Sequence, residues 1–336
     1  MSNQKHKIAD HQHTAKFSLI RKIIISIFVI FCLYFIFIGI YIKRTIKTQI
    51  IESSIPPIDQ SFTHVCEDID VFFENVEKLG IRSVRFVKNQ LNQEINETDL
   101  QTFDRKYRVL NGALRTNLTA FKSSDITGVF LSSKTKLSPE IKKMIIQTEQ
   151  GFRDYAFGIL HMVFNMYFIS KDNLIRIYKK DWALEIESDH LFKDDIFYRI
   201  ATPDQNPERT GQWTHPYYDS IWKHWMTSHI APIYLEDDFV GVIGHDIILD
   251  KVYEKILRTK FYKTGYIFLF DKENNIVVSP EYLSELNKSA KMGTKLSVTA
   301  INDSELSRII RNVTAGKNNS GIYRDSFVKE LDQKFL

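Results

Sequence analysis

The chain has 336 residues, 43% hydrophobic and 26% charged, more than one domain of roughly 100 to 200 residues usually holds. Two cysteines, Cys32 and Cys66, cannot make a disulfide framework, and 13 Gly with 8 Pro exclude a collagenous or low-complexity chain. The formal charge of +4 resides in the N-terminal tail, where Lys5, Lys7, Lys16, Arg21 and Lys22 face only Asp10, so the body is neutral and lacks the basic face that nucleic-acid binding needs.

Residues 1–22 read as a cytoplasmic tail. The segment 23–42, IIISIFVIFCLYFIFIGIYI, carries no charge, and a helix of that length spans about 30 Å, the hydrocarbon thickness of a bilayer. A cleaved signal peptide has a shorter apolar region ending in small residues. This run ends instead in Tyr41, Ile42, Lys43 and Arg44, which suits a retained transmembrane anchor. The basic residues before it outnumber Lys43, Arg44 and Lys47 after it, a weak bias toward a cytoplasmic N-terminus with the chain from about residue 50 outside. The next apolar run, 155–169, includes His161 and Asn165 and is shorter than the ~18 residues a span requires, so it belongs to a core.

From Pro57 to about Asn92 the residues Phe62, Val65, Ile69, Phe72, Phe73, Val76 and Leu79 recur at helical spacing and predict a long stalk helix. A further short helical stretch is expected over 97–121, then a strand at 126–131. Ser138, Pro139 and Glu140 supply an N-cap, a first-turn proline and a first-turn acid for a helix. Residues 166–170 and 174–178 flank Lys171, Asp172 and Asn173 as a hairpin, and 230–235 with 239–249 form a second around Glu236, Asp237 and Asp238. Asp250 would cap a helix through Leu257. A similar unit begins at Gly265, with strands at 266–270 and 276–279, a helix from Ser304 and a strand over 321–328. Ending at Leu336 inside a sheet would leave an unpaired edge, so the chain is expected to be a truncated piece of a longer protein. Helices with antiparallel hairpins in this order make the fold class α+β.

The densest chemistry lies between Asn206 and Asp246. Trp213, Trp222 and Trp225 stand beside Arg209, Tyr217, Tyr218 and Asp219; such side chains line ligand pockets or fill a core under a long loop. In FVGVIGHDIIL both alternating faces are apolar, so the strand is covered on both sides and Asp246 is buried, a costly state for a carboxylate without a partner. Gly244, on the same face, leaves room above the sheet. The partner of Asp246 is either protein, with Arg199 and Arg209 as candidates, or a cationic ligand group.

No G-x-S-x-G, Walker A, C-x-x-C or H-E-x-x-H motif occurs. His215, His224, His229 and His245 with Asp219 and Asp246 fit no standard zinc spacing, and His245 points away from Asp246 on a strand. Neither an enzyme, a cofactor nor a metal site is expected.

The stretch 196–249 resembles the membrane-distal half of the double Cache sensor family. Its NP-x-R loop, W-T-x-x-Y-x-D, W-M-x-S, P-[IV]-Y and G-V-[IV]-G-x-D-[IL] motifs fall on Asn206, Pro207, Arg209, Trp213, Tyr217, Asp219, Trp225, Ser228, Pro232, Tyr234, Gly241 and Asp246. LIRIYKKDW resembles the strand before it and GYIFLFDKENNIVVSP the opening hairpin of the membrane-proximal half, so the likeness covers about 55–336. It implies an N-terminal transmembrane helix, a long stalk helix and two tandem PAS-like modules with antiparallel sheets: stalk and distal module over 55–260, an incomplete proximal module over 261–336. It also implies the extracytoplasmic sensor of a histidine kinase, diguanylate cyclase or chemoreceptor in the inner (cytoplasmic) membrane, its output domain missing. The implied ligand is an amine, amino acid or organic acid held by Arg209, Trp213, Tyr217, Asp219, Trp225 and Asp246. Asp246 matches the carboxylate that holds an amine in the amino-acid-binding subgroup, whose Arg-x-x-Trp-Tyr signature has no clean match here. The other expected partners are the lipid bilayer and a second copy through the stalk helix. The alternative is a membrane-anchored interaction or structural protein with a vestigial pocket.

Overall fold

The computed structural model describes residues 2–121, 126–149, 151–249, 268–270, 273–279, 281–291, 294–314, 320–323 and 326–329. Helix α1 spans Ser2–Leu91, so it starts well before Pro57. The chain divides into two units, Met1–Phe62 and Thr63–Leu336. In the first, Ile25–Ile50 has a mean hydropathy of 2.7 and buries none of its side chains, long and apolar enough to cross a membrane.

In the second unit, α1 buries one stripe. Ile69, Phe73, Val76, Leu79, Ser83, Val87 and Leu91 recur every three or four residues, the spacing that keeps side chains on one helix face. Helix α2 (Glu97–Lys106) starts at Asn96, whose side chain accepts the Asp99 N–H at 2.8 Å. The helical stretch expected over 97–121 stops there. Strands β1 (Tyr107–Leu110) and β2 (Ala113–Thr116) follow as a hairpin. Asn111 and Gly112 make its turn at φ 51° and 84°, the left-handed pair that a two-residue hairpin loop requires.

Strand β3 (Gly128–Leu131) precedes α3 (Pro139–Glu149), capped as expected by the Ser138 hydroxyl at 3.2 Å from the Ile141 N–H. The apolar run 155–169 divides between α4 (Phe152–Gly158) and β4 (Asn165–Ser170). β5 (Leu174–Ile177) completes the expected hairpin with β4. Two short helices, α5 (Asp181–Glu185) and α6 (Ile196–Arg199), lead to β6 (Gln212–Trp213), β7 (Tyr217–Asp219) and the long pair β8 (His224–Leu235) and β9 (Asp238–Ile248). The strands form one antiparallel sheet in the order β1-β2-β3-β5-β4-β9-β8-β6, with β7 on the other part of β8.

The sheet separates two cores. Tyr167, Ile169, Ile175, Ile177, Ile230 and Val242 face Trp182, Ala183, Phe192 and Tyr198 of the α5–α6 segment. Phe168, Ala231, Ile233 and Ile243 face Val87 and Leu91 of α1 and Phe152 and Ala156 of α4. Beyond residue 268 a second sheet, β10 (Leu269–Phe270), β11 (Asn275–Val278) and β12 (Leu296–Ser297), has its own core of Ile276, Leu286, Leu296, Val298, Leu306 and Ile310. The helix expected from Ser304 spans Ser304–Thr314. The single strand expected over 321–328 is instead a hairpin of β13 (Ser320–Tyr323) and β14 (Ser326–Lys329). The helix expected from Asp250 to Leu257, the start of the second unit at Gly265 and the sheet edge at Leu336 lie outside the described residues.

Candidate functional site

Alternation along β9 sends Val242, Gly244 and Asp246 to one face and Ile243 and His245 to the other. Asp246 stands between Asn165 of β4 and Ser228 of β8 and is 4% exposed. It borders a narrow cleft lined by Tyr167, Ile175, Ile177, Trp182, Phe197, Tyr217, Asp219 and Asp246. Two carboxylates, four aromatic rings and an aliphatic floor make the wall, and none of these residues is basic.

The carboxylate of Asp246 accepts the Ser228 hydroxyl at 2.7 Å and the Tyr217 hydroxyl at 3.4 Å, and those hydroxyls lie 2.8 Å apart. Among the described residues no basic side chain forms an ion pair with it; the candidate Arg209 pairs with Asp237 at 3.0 Å. Burial therefore pushes the Asp246 carboxyl up to about 7, opposed by the Ser228 hydrogen bond and reinforced by the charge of Asp219. Asp219 is better satisfied. It accepts the backbone N–H groups of Ile221 at 2.9 Å and Trp222 at 2.6 Å and the Trp182 indole at 3.3 Å.

The room expected above Gly244 is filled. Tyr167, its cross-strand partner, lays its ring there, so a Cβ at Gly244 would sit 2.2 Å from Tyr167 Cζ. The Tyr167 hydroxyl is buried at the cavity beside Asp246 and Ser228, and burial with the nearby Asp246 holds its ionisation well above 10.

Of the six residues expected to hold a ligand, the structure brings Tyr217, Asp219 and Asp246 to one cavity and places the other three elsewhere. Arg209 lies over the Tyr234 ring, 4.2 Å from its centroid, beside the β8–β9 turn. Trp213 donates to Glu77 at 2.9 Å and packs its ring 5.0 Å from Phe73 on the α1 face. Trp225 borders a separate narrow space with Pro216, Leu249, Ile276 and Leu296. Tyr167, Trp182 and Phe197 complete the wall without having been expected there. Their signal in the sequence is faint: a tyrosine on a strand opposite a glycine, and aromatic residues in short amphipathic turns.

Residues 129–254, which hold every residue of the cavity wall, match the family described as the first PDC sensor domain of methyl-accepting chemotaxis protein-like proteins. Solved sensor domains are similar to this chain. The sensory domain of the Campylobacter jejuni chemoreceptor Tlp3 with isoleucine bound is 15% identical, with 79% of this chain and 81% of that one covered and a TM-score of 0.47. The same receptor's ligand-binding domain in complex with L-valine gives 16%, 80%, 82% and 0.47. The ligand-binding domain of the Pseudomonas aeruginosa PAO1 amino acid chemoreceptor PctC in complex with GABA is 13% identical, covers 65% and 71%, and has a TM-score of 0.41. No curated protein sequence matches the chain. In the chain the matched segment follows Ile25–Ile50, the helix long and apolar enough to cross a membrane. The sensor domain family is non-catalytic.

Proposed function

We propose that the cavity binds a small amine, with Asp246 receiving the ammonium group, Asp219 adding negative potential, and Tyr167, Trp182, Phe197 and Tyr217 enclosing the carbon skeleton. One observation carries this reading: Asp246 is buried at a cavity wall with hydroxyl partners and, among the described residues, no cation. A buried carboxylate is stable when paired, and a ligand cation supplies the pair. The Tyr167 hydroxyl, beside Asp246, adds a further polar group to the wall. An organic acid would meet two carboxylates, and an amino acid would need a basic residue for its own carboxylate that the wall does not supply. Tyr217, Asp219 and Asp246 therefore enter the proposed site, whereas Arg209, Trp213 and Trp225 lie outside it.

The same proposal covers the setting. The stalk and distal module over 55–260 carry the cavity and a proximal module starts at 261, supported by the separate sheets and cores. The receptor sits in the cytoplasmic membrane, pairs with a second copy through the stalk helix, and passes occupancy to a kinase, cyclase or chemotaxis output.

The test is calorimetric titration of the full chain in lipid nanodiscs with phenethylamine, its neutral analogue 2-phenylethanol, and phenylalanine. Phenethylamine should bind most tightly. Asp246→Asn removes one charge-assisted hydrogen bond worth ~1.5–3 kcal/mol, roughly a 10- to 150-fold loss of affinity. Equal binding of the alcohol, or an amine affinity indifferent to Asp246→Asn, would reject the amine assignment.

A further inference from the structure

Trp182 is a wall residue with little local support. It lies in α5, a helix of five residues whose preceding residue, Lys180, makes no side-chain capping bond; so short a helix does not hold its shape unaided. What holds it comes from the strand behind. Arg115 of β2 is 5% exposed and runs under the helix. Its guanidinium donates to the Ala183 carbonyl, to the Ile186 carbonyl at 2.6 Å and to the Ser188 hydroxyl at 3.4 Å, with its Cζ 4.8 Å from the Phe130 ring centroid. The last carbonyls of a helix carry partial negative charge without intrahelical partners, and a guanidinium fork suits them. The approach is close because β3 offers Gly128 there: a Cβ would lie 2.8 Å from Ala183 Cβ and from the Lys180 backbone. Arg115 also lines an open groove there with Leu184, Glu185 and Ile186. One residue before Ala183, the Trp182 indole reaches Asp219 at 3.3 Å and stacks 6.0 Å from Phe192.

We propose that Arg115, which does not touch the cavity, is the positioning residue that sets the orientation of Trp182 and thereby the shape of the ligand site and the indole bond to Asp219. Its effect on a ligand rests on the amine-binding reading above; its effect on Trp182 does not.

The experiment uses the full chain in nanodiscs labelled with 5-fluorotryptophan. Four fluorine resonances are expected, one for each tryptophan, with that of Trp182 assigned by its loss in Trp182→Phe. Arg115→Met keeps the apolar stem and removes the donors. The Trp182 resonance should move or split while those of Trp213, Trp222 and Trp225 stay. A lower melting temperature with an unmoved Trp182 resonance would overturn the proposal, because Arg115 would then be a structural residue only. Arg115→Lys keeps charge and stem but cannot fork across both carbonyls, and should show the same displacement if the methionine variant does not fold. In a second arm, Arg115→Met should weaken phenethylamine binding about tenfold, and should weaken it no further in a Trp182→Phe background. An equal loss in both backgrounds would show that Arg115 acts by another route. If the native chain binds no phenethylamine, the amine reading falls, while the fluorine spectra still decide the role of Arg115.

Discussion

His245 and Asp246 are adjacent on β9, both buried, and they face opposite sides of one sheet. Burial disfavours the charged form of each, so it holds His245 down at about 3 and Asp246 up at about 7. Their cross-strand partners repeat the contrast. Ser228 meets Asp246 on the cavity face, while His229, held down to about 4 by burial, meets His245 on the α1 face. That α1 face is closed. A Cβ at Gly80 or at Gly211 would stand 2.3 Å from the His229 ring, and His245 lies 2.9 Å from the Ser83 hydroxyl of α1. The neutral imidazole is the resting state there, and nothing has room to enter. On the other face a carboxylate lines a cleft and, among the described residues, forms no ion pair. Burial of a polar group does not by itself mark a site; burial beside space and without a counter-ion does.

The largest effect expected from breaking this contrast is at Asp246 in the ligand-free chain. A carboxyl raised from 3.8 to about 7 on folding destabilises the fold at pH above 7 and not below 3.8, because between those values the unfolded chain has released a proton that the folded chain retains. Integrated, the cost is about 4 kcal/mol. Asp246→Asn should therefore stabilise the ligand-free chain at pH 8 by about that amount and leave it unchanged at pH 3.5. Denaturant unfolding at the two values measures the difference. Equal stability of native and variant chains at pH 8 would mean that Asp246 has a cationic partner within the protein.

The burial of Asp246 was readable because both faces of its strand are apolar in sequence. The site around it was much less so. Trp213, Tyr217, Asp219 and Trp225 are close in the chain, but β6, β7 and β8 distribute them to the α1 face, the cavity and a second space. Nearness in sequence did not mean nearness in the fold, since each strand alternates and each turn changes direction. Tyr167, Trp182 and Phe197 arrive from elements far from the aromatic cluster, so only tertiary pairing brings them to the wall. The β1–β2 hairpin is a different case. Its Asn111-Gly112 turn is a strong short-range signal, and the helical reading of 97–121 passed over it.

The α1 face should answer to pH in the opposite sense. His229 and His245 have folded values of about 4 and 3 against 6.5 unfolded, so their contribution is complete above pH 6.5 and is lost as pH falls through that value. At pH 4 the loss is roughly 3 kcal/mol for each ring. Two histidines outweigh one carboxyl between pH 6.5 and 4, so acid should destabilise the native chain. The paired His229→Gln, His245→Gln variant leaves Asp246 in charge, and its stability should rise as pH falls from 7 to 4. A variant that still loses stability over that range would show that the acid sensitivity resides elsewhere.

The smallest effect concerns ligand rather than fold. An amine binds an ionised Asp246, and a group titrating near 7 in the empty cavity is about nine-tenths ionised at pH 8 and about one-tenth at pH 6. Affinity for phenethylamine, itself fully protonated at both values, should fall about tenfold from pH 8 to pH 6, equivalent to about 1.4 kcal/mol. The direction separates this site from one built on histidine, since the imidazoles behind the sheet stay neutral across the whole interval. It also separates ligand from fold: over the same interval protonation of Asp246 contributes stability to the empty chain, while its hold on the amine weakens. Asp246→Asn should flatten the titration entirely. A tenfold dependence that survives in Asp246→Asn would assign the titrating group to another carboxylate, such as Asp195 beside His190, which burial also raises.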